Sequence, residues 1–243
     1  MTFETRVMGH RGAAKLAPEN TLASISAAAD VGTQWVEIDV TIAADGLVIF
    51  HDDTLDRCTN GSGPVKMKSV AELKALEVEN QFNPAFSNET IPTLVEALKH
   101  IQDLGLSLNL EIKCAQPDVM KIVPDVLAQL AEHWQDKSKL CISSFNHDVL
   151  IAVRNIDSDL RLSQIYKAIP NNWPETLSSI HAFSLNCDYA LLREETALAI
   201  KEAGYLLFCY TVNKPELVQE HWKWGMDAVI TDDPSLFFNT GIK

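Results

Sequence analysis

Short apolar runs alternate with longer amphipathic segments along nearly the whole chain, and this rhythm restricts the fold more than any other feature. Residues 7–9, 35–40, 47–50, 106–112, 140–144, 161–165, 182–186, 206–212 and 228–231 read as strands. Helical spacing follows at 21–30, from 93 onward, in a segment ending at Trp134, and at 148–155, 191–203 and 215–224, with a closing turn or helix at 234–238. Strand-then-helix alternation calls for a mostly parallel sheet covered by helices. For 243 residues the best account is an α/β fold of the TIM type, a closed (β/α)8 barrel. An open doubly wound sheet is the alternative, but no Gly-x-Gly-x-x-Gly follows the first strand. Nine runs compete for eight barrel places, so one is an extra hairpin arm or a misread segment. Asp45-Gly46 suits a tight hairpin turn, although a parallel crossover there stays open.

Local signals set the boundaries. Asn20 or Thr21 caps the first helix, and Gly32 stops it. Ser69 with Glu72, and Thr93 with Glu96, have capping-box spacing. Pro124 either starts its helix or kinks it. Residues 52–90 break the rhythm: they are polar, carry the loop string Asn60-Gly61-Ser62-Gly63-Pro64, hold one short helix with Leu73 and Leu76, and become loop-like again at 80–88. This stretch reads as a small insertion at the rim of one domain spanning 1–243.

Charge narrows the partners. Twenty Lys and Arg face 33 Asp and Glu, a net charge of −13, so the overall field does not draw nucleic acid or anionic membrane. No run of about 18 apolar residues offers a membrane span, and residues 1–7 lack the charged-then-apolar pattern of a leader. Of the five cysteines, Cys141, Cys187 and Cys209 lie in apolar runs and read as core, and no Cys-x-x-Cys or Cys/His ligand spacing occurs. These features lead to the expectation of a cytoplasmic protein without stable membrane anchoring. Oligomeric state has no signature here.

Polar residues gather at strand ends. His10-Arg11-Gly12 follows the first strand, Glu37-Ile38-Asp39 lies in the second, His51-Asp52 follows the third, and Glu111-Ile112-Lys113 closes the fourth. In a barrel such ends meet on one face. Glu37 and Asp39 are two apart on a strand, so both side chains leave the same side. Burying them without a cation would cost several kcal/mol. Either one of them faces solvent or pairs with a Lys or Arg, or Glu111 joins them in a hard oxygen site for one divalent cation, Mg2+ or Ca2+ with Mn2+ as a third option, and not zinc. His10 and His51 form a candidate acid/base pair, although a single strand-end His more often serves structure. Arg11 and Lys113 suit phosphoryl chemistry, or simply balance the carboxylates. His100, His133, His147, His181 and His221 read as surface residues. Asp232-Asp233-Pro234 reads as turn chemistry with a structural role, and Ser143-Ser144 lacks the setting of a nucleophile.

His10-Arg11-Gly12, Pro18-Glu19-Asn20-Thr21, Glu37-Ile38-Asp39-Val40, Asp45-Gly46, His51-Asp52 and Leu55-Asp56-Arg57, taken in order, resemble the glycerophosphodiester phosphodiesterase family. So do Ile91-Pro92-Thr93-Leu94, Leu110-Glu111-Ile112-Lys113, Ser144-Phe145, Thr211-Val212-Asn213 and Thr231-Asp232-Asp233-Pro234. The resemblance is strongest to the cytoplasmic bacterial members. It implies a TIM-type barrel with an insertion after the strand ending at His51. It implies that Glu37, Asp39 and Glu111 hold one divalent cation, that His10 and His51 are the acid/base pair, and that Arg11 and Lys113 contact phosphate or support the carboxylates. Tyr210 stands where the family usually has Trp, which keeps an aromatic wall, changes its shape and adds a hydroxyl. The expected activity is hydrolysis of a small glycerophosphodiester to sn-glycerol 3-phosphate and an alcohol. The alternatives are a related barrel phosphodiesterase acting on lysophospholipid or inositol lipid, with Phe82 and Phe86 as the aromatics of the insertion, and a non-catalytic metabolite-binding barrel.

Overall fold

Eight strands run parallel and close on themselves, and a ninth hangs from the rim. The computed structural model describes residues 3–78, 86, 88–115 and 118–238, so Asn80 and Phe82 lie outside the described residues. In chain order the elements are β1 (Val7–Gly9), α1 (Leu22–Asp30), β2 (Trp35–Ile42), β3 (Leu47–Ile49), α2 (Val70–Lys74), α3 (Leu94–Asp103), β4 (Ser107–Ile112), α4 (Val119–His133) and β5 (Leu140–Ser144). Then come α5 (His147–Ile156), β6 (Arg161–Tyr166), α6 (Trp173–Ser179), β7 (Ser184–Asp188), α7 (Glu194–Glu202), β8 (Leu206–Tyr210), α8 (Gln219–Lys223), β9 (Ala228–Thr231) and α9 (Ser235–Phe238). The parallel order is β1-β2-β4-β5-β6-β7-β8-β9, and β9 pairs back to β1. The protein is a TIM-type barrel. β3 is the extra strand: it runs antiparallel to β2, with Val40 opposite Ile49 and Ile42 opposite Leu47, so Asp45-Gly46 lies in a hairpin connection.

Two-residue alternation separates the faces of each strand. On β2, Val36, Ile38 and Val40 point out to Leu94, Leu98 and Ile101 of α3, while Trp35, Glu37 and Asp39 occupy the alternate positions. β4 repeats this with Leu108, Leu110 and Ile112 outside and Ser107, Asn109 and Glu111 on the other face. Fully burying each Leu or Ile of this layer contributes roughly 1.5–3 kcal/mol. The lower barrel is filled by Met8, Trp35, Leu206 and Phe208, and Phe3 packs on Trp35 and Phe208 at 5.1 and 4.7 Å.

Helix ends follow the sequence signals closely. Thr21, Ser69 and Thr93 are N-caps, each accepting from the backbone N–H three residues on. Pro124 sits inside α4 and does not start it. Three differences have local causes. The expected helix at 191–203 begins only at Glu194, because the Asp188 side chain accepts from the Ala190 N–H and winds Tyr189–Leu191 into a 3-10 turn. Pro215–Val218 is likewise a 3-10 turn before α8. α6 was not expected, since its polar sequence buries only Leu177.

One expectation about histidines fails. His221 is buried, with its ring 4.5 Å from Trp224 and its Nε2 hydrogen-bonded to the Tyr189 carbonyl at 2.9 Å. Flanking aromatic rings cover it and the carbonyl satisfies Nε2, while Nδ1 is buried without a hydrogen-bond partner among the described residues. His100, His133, His147 and His181 are at least partly exposed.

Between β3 and α3 the described residues build a small core of their own. Leu55, Cys58, Val65, Leu73 and Val78 pack with Val48 and Phe50. This cluster covers one side of the barrel mouth and holds the segment carrying His51.

Candidate active site

The barrel mouth brings the polar strand ends together around a cavity of about 140 Å3, lined by His10, Arg11, Glu37, His51, Glu111 and Tyr210 among others. Register explains the carboxylates. Asp39 pairs with Glu111 and Glu37 with Asn109 across β2 and β4, so three acidic side chains share two adjacent strands. One oxygen from each of Glu37, Asp39 and Glu111 lies within 4.8 Å of the others. All three residues are buried.

Arg11 and Lys113 supply the fixed charge. Lys113 Nζ lies 2.9 Å from Glu111 Oε1 and 3.9 Å from Asp39 Oδ1. Arg11 Nε lies 3.5 Å from Asp39 Oδ2, its Nη1 donates to Glu19 at 2.6 Å, and its backbone N–H donates to Glu37 Oε2 at 3.0 Å. Asn20 donates to Asp39 Oδ2 at 2.9 Å and accepts from the Asp39 N–H at 3.2 Å. Three carboxylates thus face two cations, one of which is shared with Glu19. Burial, then the neighbouring carboxylates, pushes Glu37 and Glu111 well above the usual carboxylate range. Burial alone would lower Lys113, but Glu111 and Asp39 outweigh it and raise the ammonium. Glu37 Oε1 is buried without a hydrogen-bond partner. An uncompensated charge and a free buried oxygen in a hard-donor set fit a divalent cation such as Mg2+ or Ca2+.

Each histidine is backed by a carboxylate. His10 Nδ1 hydrogen-bonds Asp232 Oδ1 at 2.6 Å, and its Nε2 lies 3.9 Å from Glu37 Oε2. Asp232 is fixed in turn by Asn213 Nδ2 at 2.6 Å. His51 Nδ1 hydrogen-bonds Asp52 Oδ1 at 2.5 Å, and Arg57 clamps Asp52 through Nε at 2.6 Å. Arg57 also donates twice to Glu19, at 2.9 and 2.8 Å, and so ties the insertion to the loop behind Arg11. Burial, together with the charges of Arg11 and Lys113, lowers His51 despite Asp39 and Asp52. With Nδ1 occupied, each ring keeps Nε2 for the cavity.

The hairpin explains how His51 arrives. β2 rises past the carboxylates to Ile42, and β3 returns, with Phe50 N donating to the Asp39 carbonyl at 2.9 Å. His51 is therefore set down beside Asp39. At the other histidine, the chain turns sharply through Arg11 and Gly12, with φ of 50° and 82°. A Cβ on Gly12 would lie 2.4 Å from Ser24 Oγ and 2.5 Å from Ser24 C, so only glycine lets this loop pack against α1.

All eight expected residues, His10, Arg11, Glu37, Asp39, His51, Glu111, Lys113 and Tyr210, gather at this mouth. Tyr210 forms part of the wall, edge-on to Phe145 at 6.1 Å, and its hydroxyl donates to the Tyr166 carbonyl at 2.8 Å. Burial raises that phenol. Asp232 is more than a turn former, because its carboxylate holds His10, whereas Asp233 accepts from Ser235 and serves the turn. Its position at the end of the last strand was the available signal. Asn213, Glu19 and Arg57 fall in motifs already noted, but nothing in their spacing announced these contacts.

The model of the glycerophosphoryl diester phosphodiesterase family matches residues 10–236. The chain belongs to this family. A glycerophosphodiester phosphodiesterase of Caldanaerobacter subterraneus subsp. tengcongensis is 34% identical over 98% of both chains. One of Bacillus subtilis is 29% identical over 95% of this chain and 84% of its own. Among solved structures, an Oleispira antarctica phosphodiesterase in complex with the product sn-glycerol-3-phosphate superposes with a TM-score of 0.94, at 34% identity over 98% of this chain and 97% of the other.

Proposed function

We propose that this protein is a metal-dependent phosphodiesterase that hydrolyses glycerophosphodiesters, such as those from deacylated phospholipids, to sn-glycerol 3-phosphate and an alcohol. The observation that carries the reading is two carboxylate-backed histidines, His10 and His51, beside a buried acidic triad in one cavity. The product in the Oleispira structure and the names of the relatives agree with it.

Glu37, Asp39 and Glu111 would hold one divalent cation, Mg2+ or Ca2+, with Mn2+ also compatible with oxygen donors. When bound, that cation supplies Lewis-acid stabilisation of a phosphoryl oxygen. Arg11 and Lys113 orient the carboxylates and neutralise charge on the phosphate. One histidine takes the proton from the attacking hydroxyl, that of water or of glycerol C2; in the second case the cyclic phosphate formed is then opened by water, which breaks the P–O bond to C2 and returns its proton. The other gives a proton to the leaving alkoxide as its P–O bond breaks. Asp232 and Asp52 hold the two rings in orientation, and Tyr210 walls the substrate side.

In the same reading, residues 1–243 are one barrel domain and 52–90 an insertion that carries the support for His51. The five free cysteines and the acidic surface suit a cytoplasmic enzyme acting on a small molecule. The test is release of sn-glycerol 3-phosphate from glycerophosphocholine, followed with and without EDTA. Release that EDTA abolishes and Mg2+ or Ca2+ restores is expected. No release with any divalent cation would leave a metabolite-binding barrel as the better account.

A further inference from the structure

Beside the carboxylates, the barrel interior carries further buried polar side chains. Asn109 and Asn186, on β4 and β7, line the same cavity as the two histidines. Each is 1% exposed. Asn109 has no hydrogen-bond partner for either Oδ1 or Nδ2, and Asn186 has none for Nδ2. Asn186 Oδ1 accepts from Ser163 Oγ at 2.6 Å, which fixes the amide with its N–H groups unused. Ser143 Oγ, fully buried, is also without a partner. Buried carboxamides are ordinarily satisfied, so two left open toward one cavity call for an occupant.

Position limits what that occupant can be. Asn109 lies two residues before Glu111 on β4 and is the register partner of Glu37, so its amide is set one inward position below Glu111 and Asp39, at the level of Glu37. Asn186 is the register partner of Phe208, and Phe208 packs with Met8 and Trp35 to close the barrel at its inner end. A ligand held by phosphate at the mouth therefore presents its far end to the two amides. They offer donors and an acceptor, which match a hydroxyl that both gives and takes a hydrogen bond.

We propose that Asn109 and Asn186 form a floor that reads the terminal hydroxyl of the glycerol half of the substrate. The inference rests on the phosphodiesterase reading above and adds a substrate orientation: glycerol inward, phosphate at the triad, alcohol outward. It also makes the enzyme selective. A substrate lacking that hydroxyl leaves the amides unpaired, and sites of this kind reject such analogues strongly. An acyl group on the same oxygen removes the donor and meets a closed floor. Lysophospholipids acylated at that position are thus excluded by depth and chemistry together.

The experiment compares kcat/KM of the metal-loaded enzyme on three choline phosphodiesters: of glycerol, of propane-1,2-diol (the same skeleton without the terminal hydroxyl), and of 1-acylglycerol. Wild type should prefer the glycerol ester over the deoxy ester by ~100-fold or more and show no turnover of the acyl ester. Asn109→Leu and Asn186→Leu, near-isosteric and apolar, should reduce that preference to a few-fold, with much the larger loss on the glycerol ester. Calorimetry should report the same loss of preference in binding of sn-glycerol 3-phosphate against its 1-deoxy analogue. Equal rates on the glycerol and deoxy esters by wild type would overturn the floor, and this comparison needs no variant to fold. Equal losses on both esters in the variants would also overturn it and reduce the amides to a hydrated structural layer. If wild type hydrolyses no glycerophosphocholine, the phosphodiesterase reading fails, and the floor proposal fails with it.

Discussion

The two histidines of the mouth have the same local chemistry and opposite architectures. His10 follows β1 directly, and its carboxylate, Asp232, lies 222 residues away on the neighbouring end of β9. That carboxylate is locked by Asn213, and the His10 N–H donates to the Thr231 carbonyl at 2.7 Å. This half of the site is made of barrel. His51 takes its carboxylate from the next residue, reaches the site on a hairpin arm outside the barrel, and depends on Arg57 and Glu19 for its bearing. Its side chain is 30% exposed, against 17% for His10. The closed sheet makes the first half rigid, whereas the second is an attachment held by a network of charges. An enzyme that must admit and release substrate has reason to keep one wall fixed and the other adjustable.

Replacing the rings themselves should have the largest effect. His10→Ala and His51→Ala should each lower kcat by about 1,000-fold, within the span of general acid–base contributions. The thermal midpoint and metal binding should change little. Full activity in either variant would remove that histidine from the pair.

The supports should separate the two halves. Asp232→Asn leaves the His10 ring misoriented, and a loss of roughly 100-fold in kcat is expected. Arg57→Ala frees an exposed clamp that water can partly replace, so roughly a 10-fold loss is expected. A larger loss for Arg57→Ala would reverse the comparison and make the hairpin side the rigid one.

Acid should weaken the tie between the attached half and the barrel. Burial alone would raise Glu19, but hydrogen bonds and charge from Arg57 and Arg11 hold it at about 2, against an ordinary 4.5. A depressed carboxylate contributes stability fully present above its unfolded pKa and lost as pH falls toward the folded one. The melting difference between wild type and Glu19→Gln should therefore be greatest near neutral pH and shrink between about pH 4.5 and 2. An equal difference at both ends would mean that the ionised carboxylate is not what joins insertion to barrel.

The smallest effect belongs to a barrel helix remote from the chemistry. Thr93→Ala removes the cap of α3 and should cost about 1 kcal/mol in denaturant unfolding with kcat unchanged. A change in kcat would indicate that the outer layer also tunes the mouth.

Much of this was legible from residue order. Local periodicity located β5 and β9 to the residue, and the capping boxes at Ser69 and Thr93 marked the starts of α2 and α3, because both signals depend on neighbours in the chain. The acidic triad was legible because two-residue spacing on a strand already puts Glu37 and Asp39 on one side. His221 was not, since its burial comes from Tyr189 and Trp224 closing around it. Nor was α6, whose polar helix holds on by one leucine.

The sequence by itself determined the barrel, through a period that switches between two and 3.6, and the kinds of groups at its mouth, through the residues that end each run. Tertiary structure alone decided which groups meet. Closure of β9 onto β1 joined Asp232 to His10, and the return of the hairpin set His51 beside Asp39. It also turned Asn109 and Asn186 into a floor, because only a closed sheet makes one face of every strand an interior. Such pairings span most of the chain, and no local pattern encodes a contact whose partner is brought in by the fold.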